Sequence, residues 1–426
     1  MGTPELLRDV LTIILAGGQG ERLYPLTRDR AKPAVPFGGI YRIIDFTLSN
    51  CLNSGCGRIY VLTQYKSFSL DRHLILGWSP VFNHPERGSY LHILPPQMRT
   101  GDERWYVGTA DAIHQNIYTL ERERPQRVLL LAGDHIYKMD YSKMIEFHAA
   151  RKALLTVACV PVEKQAASQL GIAVVDANSR IGGFKEKPKE DPPTIPGDPN
   201  RCLASMGIYI FETEELVRRV TRDARRESSH DFGKDIIPEM VSEGAAVYAW
   251  PFEDENRKGG NYWRDVGAID SYYEANMDLI KPEPVFNLYD THWPVHTYIE
   301  QAPPAKFVHN VPGPRARRGQ ALDSIVAPGA VVSGGTVERC VLSPQVRVNS
   351  FSQVLDSILM EGVQIGRYAK VRRAILDKGV HVPEGVSIGY DAAADGKHFT
   401  ISPNGLVVVP KETPADVLQS ADNSAR

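Results

Sequence analysis

Leu15-Ala-Gly-Gly-Gln-Gly-Glu-Arg-Leu-Tyr-Pro-Leu-Thr-Arg-Asp-Arg-Ala-Lys-Pro33 ends an apolar, strand-like run, Val10–Leu15, with three glycines and several cations. Glycine lets the backbone approach a ligand closely, and free N–H groups at a following helix start favour anions. Arg22 and Lys32 add charge for phosphate oxygens beyond the reach of the loop amides. The pattern predicts a loop that holds a polyphosphate. Its spacing excludes two commoner loops. A Walker A loop has Gly-Lys-Ser/Thr after its glycines, whereas Gly20 is followed by Glu21-Arg22. A dinucleotide fingerprint needs a third glycine where Leu23 stands. A merely structural turn explains the glycines alone, but not the cationic second half, Leu26-Thr-Arg-Asp-Arg-Ala-Lys-Pro33.

Strand-like and helix-like segments alternate from residue 10 to about 280. Short β-rich runs at Val10–Leu15, 58–63, Arg127–Ala132 and 154–160 are bounded by turn signals, and 110–122 and 141–152 have helical patterns. Continuous apolar strands with intervening helices predict a mostly parallel α/β sheet covered on both faces. Ligands in such sheets bind beyond the strand C-terminal ends, where the glycine loop and Gly133-Asp134 fall. A proline-rich stretch at 188–199 reads as a surface loop, and 282–318, with seven prolines, as a connector ending in Arg315-Ala-Arg-Arg318.

Beyond the connector the period changes. Ile325, Val331 and Val337 are followed by Leu342, Val348 and Val354, then Leu359, Ile365 and Val371, then Leu376, Val382 and Ile388. Each triplet is spaced six and six, and successive triplets are offset by 17 residues. Neither a helix nor a hairpin produces that register. Three short flats per turn, each contributing one inward aliphatic, predict a parallel β-helix of triangular section.

At 426 residues, with 42% hydrophobic and 23% charged residues, the chain reads as a globular protein of two or three domains. A formal net charge of −2 offers no general attraction to nucleic acid or to an anionic membrane. No apolar run approaches the roughly 18–20 residues of a membrane span. The first nine residues lack a basic n-region, so no secretory leader is expected and a cytoplasmic location is. Cys51, Cys56, Cys159, Cys202 and Cys340 show no CxxC spacing and read as buried or half-buried thiols in a reducing compartment. Twelve histidines carry no zinc-ligand pattern.

Two aspartates stand out. Asp134 follows the buried run Arg127–Ala132, where an acid either caps a helix or coordinates Mg²⁺. Asp265 lies in Tyr262-Trp-Arg-Asp-Val-Gly267. Two such carboxylates and a polyphosphate loop make a coherent phosphoryl-transfer site, although spacing alone does not bring them together. Phe184-Lys-Glu-Lys-Pro188 is either a solvated charged turn or a second phosphate site, with Lys187 on the phosphate and Glu186 accepting from a hydroxylated substrate. Ser228-Ser-His-Asp-Phe-Gly-Lys-Asp-Ile-Ile-Pro238 opens with capping residues, and capping and packing explain most of it.

The glycine loop with Lys32-Pro33 resembles the signature of the sugar-phosphate nucleotidylyltransferases. Gly108-Thr-Ala-Asp-Ala112, Ala132-Gly-Asp-His-Ile-Tyr137, Phe184-Lys-Glu-Lys-Pro188, Ser229-His-Asp-Phe-Gly233 and Tyr262-Trp-Arg-Asp-Val-Gly267 narrow the resemblance to their ADP-glucose pyrophosphorylase branch, over about residues 11 to 410. It implies a Rossmann-like, mostly parallel nucleotidyltransferase domain at 1–283, a connector at 284–320 and a left-handed parallel β-helix of hexapeptide repeats at 321–426. The implied reaction is Mg²⁺-dependent adenylyl transfer from ATP to α-D-glucose 1-phosphate, giving ADP-glucose, the donor for glycogen or starch, and pyrophosphate. Arg22, Lys32 and Asp134 would be catalytic, with Asp134 and Asp265 holding the metal. Leu15, Ala16, Gly17, Gly18, Gly20, Gln97 and Gly108 match ATP-binding positions. Tyr106, Gly171, Glu186, Lys187, Ser205 and Asp265 match glucose 1-phosphate positions.

Homotetramers under small-molecule control are also implied, with Arg30, Arg42, Arg372 and Arg373 as effector-site cations. Some bacterial members have a lysine at the position of Asp29 that helps bind a sugar bisphosphate; an aspartate argues against fructose 1,6-bisphosphate as the main activator. Rival readings are a UTP- or dTTP-using relative, a non-catalytic regulatory subunit and, from the β-helix alone, an acyltransferase. The cations and aspartates lost by degenerate subunits are all present, and His381 is the one histidine within the four coils available to acyl transfer.

Overall fold

A computed structural model describes residues 3–96, 105–256, 260–313 and 317–420. The chain packs into two compact units: residues 1–18, 46–133 and 137–263 form one, and 19–45, 134–136 and 264–426 form the other. This division by packing cuts across the division by sequence period, because two loops from the first half of the chain belong with its C-terminal part.

The first unit is built on a nine-stranded sheet. Its strands are β1 (Val10–Leu15), β2 (Arg58–Leu62), β3 (Tyr90–Leu94), β4 (Arg127–Ala132), β5 (Leu155–Glu163), β6 (Gly171–Val175), β7 (Ile181–Glu186), β8 (Arg201–Glu212) and β9 (Val247–Pro251). The order is β7-β6-β8-β4-β1-β2-β3, with β5 on β8 and β9 on β5. Pairings β1–β2, β1–β4, β2–β3 and β5–β9 are parallel, and β8 runs antiparallel to its neighbours. β1 and β4 are continuous apolar strands because both of their faces are buried. Their register pairs Leu15 with Ala132, so both strands end at one edge. There Gly133 N donates to Leu15 O at 3.1 Å and Ala16 N to Leu62 O at 2.9 Å. The glycine loop and the acidic loop both leave from that edge.

The helical pattern at 110–122 is two helices, Thr109–His114 and Ile117–Glu123. Asn116 breaks it: its side-chain amide donates to Ala112 O at 2.8 Å, competing with the helical ladder. Tyr141–Arg151 is one helix, capped by Asp140, whose carboxylate accepts from Ser142 N at 2.9 Å. The stretch 188–199 is a loop with one isolated bridge, Ile195 to Asp198.

In the second unit three parallel ladders form the faces of the β-helix. One runs through Val331–Ser333, Arg347–Val348, Gln364–Ile365 and His381–Val382, a second through Thr336–Glu338, Gln353–Leu355, Lys370–Arg372 and Ser387–Ile388. The third runs through Ile325–Val326, Val341–Leu342, Ile358–Leu359 and Ala374–Leu376. Lys306–Val308 and Gln320–Leu322 start the first two ladders, so coiling begins within the stretch that reads as a connector.

Ten of the twelve predicted aliphatics hold the expected register, and two do not. The residue stacked under Leu342 is Val326, not Ile325, and the one under Val348 is Val332, not Val331. The first coil is one residue shorter than the others. Its corner at Gly334-Gly335 is tight: a Cβ on Gly335 would lie 2.7 Å from Asn349 O, and Gly334 has φ +75°. A hairpin of Thr400–Ile401 with Val407–Val409 follows the last coil, and Phe399 and Leu418 join its core. His381 is exposed on its ladder. All five cysteines are buried and free. Among the described residues no helix is long and apolar enough to cross a membrane.

Leu359 is fully buried between coils. Leu359→Ala is expected to lower stability by about 2–5 kcal/mol, read by chemical denaturation.

Candidate active site

The acidic centre lies in the second unit. Gly20 adopts φ +66°, and its carbonyl accepts from Thr27 Oγ1 at 2.9 Å, which folds the cationic loop back on itself. Short 3₁₀ turns at Glu21–Leu23 and Lys32–Ala34 fix Arg22 and Lys32. The Lys32 side chain is buried, and its Nζ donates to Asp134 Oδ2 at 2.8 Å and Asp265 Oδ1 at 2.9 Å. Arg22 Nη2 lies 3.6 Å from Asp265 Oδ2, and His135 Nε2 lies 3.6 Å from Asp134 Oδ1. The two carboxylates proposed from sequence therefore meet, 131 positions apart, on the lysine proposed beside them.

Burial opposes ionisation of Asp134, but Lys32 and His135 override it and hold the carboxyl well below the usual range. Burial likewise disfavours the Lys32 ammonium, and the two aspartates more than compensate, raising its pKa. Both partners thus stay charged through neutral pH. One ligand atom from each of Asp134, His135 and Asp265 lies within 4.8 Å of the others. Two hard carboxylate oxygens suit Mg²⁺, so the donor set fits that ion.

In the first unit three of the sugar-phosphate candidates, Gly171, Glu186 and Lys187, lie together. β6 and β7 pair Gly171 directly with Glu186. A Cβ on Gly171 would lie 2.6 Å from Glu186 Oε2, and one on Gly233 would lie 2.7 Å from it. Two glycines therefore make the slot that the carboxylate fills. Burial and nearby Asp231 push the Glu186 carboxyl up, against Lys187, whose Nζ is 3.5 Å from Glu186 Oε1. Ser205 is buried on β8, where the register shifts between Ser205 and Tyr209. The Tyr209 phenol is pushed well above its ordinary range by burial, with Asp231 and Glu186 adding to the shift.

The nucleotide candidates of this unit share two supports that sequence reasoning missed. Gln64 accepts from Tyr106 N at 3.1 Å, and a Cβ on Gly17 would lie 2.9 Å from Gln64 Cβ. Gly108 is extended, yet a Cβ there would lie 2.2 Å from His230 O. Asp231 accepts from Thr109 Oγ1 at 3.1 Å and from Gly233 N at 2.9 Å. One carboxylate thus supports both the Gly108 loop and the glycine against Glu186. His230 is held by Asp223 at 2.7 Å. The sequence marked these stretches as a capping pattern and as family motifs, without these contacts. Leu15 ends β1, buried Ala16 follows it, and a Cβ on Gly18 would meet open space. Gln97 lies outside the described residues.

The four effector-site candidates are partnered differently. Arg30 is buried, with Nη1 2.8 Å from Asp377 Oδ1 and Nη2 3.1 Å from Asp377 Oδ2. Arg42 Nη1 donates to Ala34 O at 3.3 Å. Arg372 stacks 4.7 Å over the Tyr390 ring, and Arg373 donates to Asn404 O at 3.0 Å. The structure adds Lys378, whose pKa is lowered by burial and by the charges of Arg42 and Arg30.

A glycine loop and an acidic loop leaving one edge of a largely parallel sheet define a nucleotidyl transferase, and residues 11–282 match the nucleotidyl transferase family model. Residues 303–409 match the GlmU-like C-terminal hexapeptide model, in keeping with a left-handed parallel β-helix. A glucose-1-phosphate adenylyltransferase of Rhodopirellula baltica is 52% identical over 95% of this chain and 91% of its own length. One of Koribacter versatilis is also 52% identical, over 95% and 96%, and glucose-1-phosphate adenylyltransferase 2 of Vibrio cholerae is 50% identical over 95% and 98%. The chain belongs to the glucose-1-phosphate adenylyltransferase family.

Gly108→Ala forces the 229–230 carbonyls to shift, an overpacking cost of about 1–3 kcal/mol, or roughly five- to 150-fold. Steady-state kinetics should show that loss in KM for the nucleotide.

Proposed function

We propose that this enzyme transfers the adenylyl group of ATP to α-D-glucose 1-phosphate, yielding ADP-glucose and pyrophosphate. The observation that carries the reading is the meeting of Asp134, Asp265 and Lys32, with Arg22 beside them, in a member of this family. A glucose 1-phosphate oxygen attacks the α-phosphorus, a P–O bond forms, and the bond to pyrophosphate breaks. No covalent enzyme intermediate is required, so positioning and charge stabilisation carry the rate. Arg22 and Lys32 neutralise the triphosphate and the leaving pyrophosphate. Glu186 accepts from sugar hydroxyls and Lys187 faces the sugar phosphate, with Gly171, Ser205 and Tyr106 lining that site. Gly17, Gly18 and Gly20 offer backbone N–H groups to the nucleotide, and Leu15, Ala16, Gln97 and Gly108 are its other candidate contacts by sequence. Asp134 and Asp265 would hold Mg²⁺, which when bound supplies further charge neutralisation at the phosphates.

The same reading makes ADP-glucose the donor for glycogen or starch synthesis and the enzyme a cytoplasmic homotetramer under small-molecule control. Arg30, Arg42, Arg372 and Arg373 would serve the effectors. Asp29 is paired with Arg28 at 3.0 Å and adds negative charge where a bisphosphate activator needs positive.

Pyrophosphate release with Mg²⁺ and glucose 1-phosphate, assayed with ATP, UTP, dTTP, CTP and GTP separately, tests the proposal. ATP should be strongly preferred, and Asp134→Asn should lower kcat by at least about a hundredfold. Preference for UTP or dTTP would overturn the substrate assignment. No release with any nucleotide, even with effectors added, would point to a regulatory subunit. In an effector panel, fructose 6-phosphate or pyruvate should activate more than fructose 1,6-bisphosphate, and the reverse order would remove the role given to Asp29.

A further inference from the structure

Lys32 and a divalent cation would draw on the same two carboxylates. Its ammonium bonds Asp134 Oδ2 at 2.8 Å and Asp265 Oδ1 at 2.9 Å. A Mg²⁺ ion binds carboxylate oxygen at about 2.0–2.1 Å, closer than the ammonium sits, so one held by these same oxygens would compete with Nζ for them. The ligand atoms of Asp134, His135 and Asp265 lie within 4.8 Å of one another, which leaves room for one cation among them. We propose that Lys32 is the resident counter-ion of the Asp134–Asp265 pair and is displaced when the metal enters, so that metal is taken up with the nucleotide phosphates. The proposal rests on the reading of these aspartates as the metal site.

Charge and construction both support it. Two carboxylates and one ammonium sum to −1. A divalent cation added without displacement would leave +1 and place two cations within bonding distance of the same oxygens. The triphosphate supplies the anionic oxygens that Lys32 needs after leaving. Its stem is anchored in the turn Lys32–Ala34 against Gly20, where even a Cβ on the glycine would lie only 3.0 Å from Lys32 Cβ. The head of a lysine is a compact charge on a flexible stem, so it can swing while its backbone stays fixed. Arg22, with its side chain 62% exposed, remains at 3.6 Å from the other Asp265 oxygen.

Binding of Mn²⁺ alone, without nucleotide, can be read from the electron paramagnetic resonance signal of the free ion. Lys32→Met should bind Mn²⁺ at least about tenfold more tightly than the unmodified enzyme, because the competing charge is gone. Adding Asp134→Asn and Asp265→Asn should abolish that gain. Equal or weaker binding by Lys32→Met, with binding still dependent on the two aspartates, overturns the displacement. Binding indifferent to the aspartates in every background overturns the metal site on which the proposal stands. Lys32→Met leaves two facing carboxylates without their cation and is expected to melt lower. Mn²⁺ should then raise its Tm more than it raises that of the unmodified enzyme, and equal shifts count against the proposal.

Discussion

Asp134 and Asp265 both bond one buried ammonium, Lys32 Nζ, which joins three segments of the second unit that lie far apart in sequence. Two carboxylates this close repel unless a cation stands between them, and a buried ammonium is equally costly without anions. Each charge is therefore the condition for the other two. The surrounding loop follows from that need. Gly20 turns the chain, Thr27 fastens the turn, and the Lys32–Ala34 turn delivers the lysine from below. A side chain at Gly267 would crowd the ends of Arg22 and Asp265 at 2.8–2.9 Å.

The first unit solves a different problem, the seating of a carboxylate on a sheet. Glu186 sits between two glycines that lack the atoms to collide with it, and partial burial with nearby Asp231 pushes its carboxyl up. Asp231 ties this seat to the loop at Gly108 through Thr109. A single capping carboxylate therefore sets the geometry of two groups of candidate ligand residues. That economy explains why the stretch around it reads, in one dimension, as ordinary helix capping.

The cations near the β-helix are not equivalent. Arg30 is consumed by a buried, two-bond ion pair with Asp377, a fixed link between the cationic loop and a coil of the β-helix. Removing one partner of such a pair strands the other charge, so Arg30 is structural whatever else it touches. Lys378 is buried, crowded by Arg42 and Arg30, and paired with Glu361.

Local chemistry made much of this protein legible in its sequence. Apolar runs flanked by turns marked the strands, because burial on both faces demands continuous hydrophobicity. The 17-residue recurrence marked the β-helix, because every coil must aim one aliphatic inward from each face. Only the tertiary structure shows that the first coil is a residue short, since Gly334-Gly335 permits a corner whose length no periodic rule anticipates. The carboxylates and Lys32 were candidates by residue type and position; their meeting is a long-range fact, decided by which strand ends share a sheet edge and which loops pack together. Gln64, Thr109, Asp231 and Lys378 act through contacts with distant segments. Sequence spacing records no such contacts, so their parts became visible only once the chain was folded.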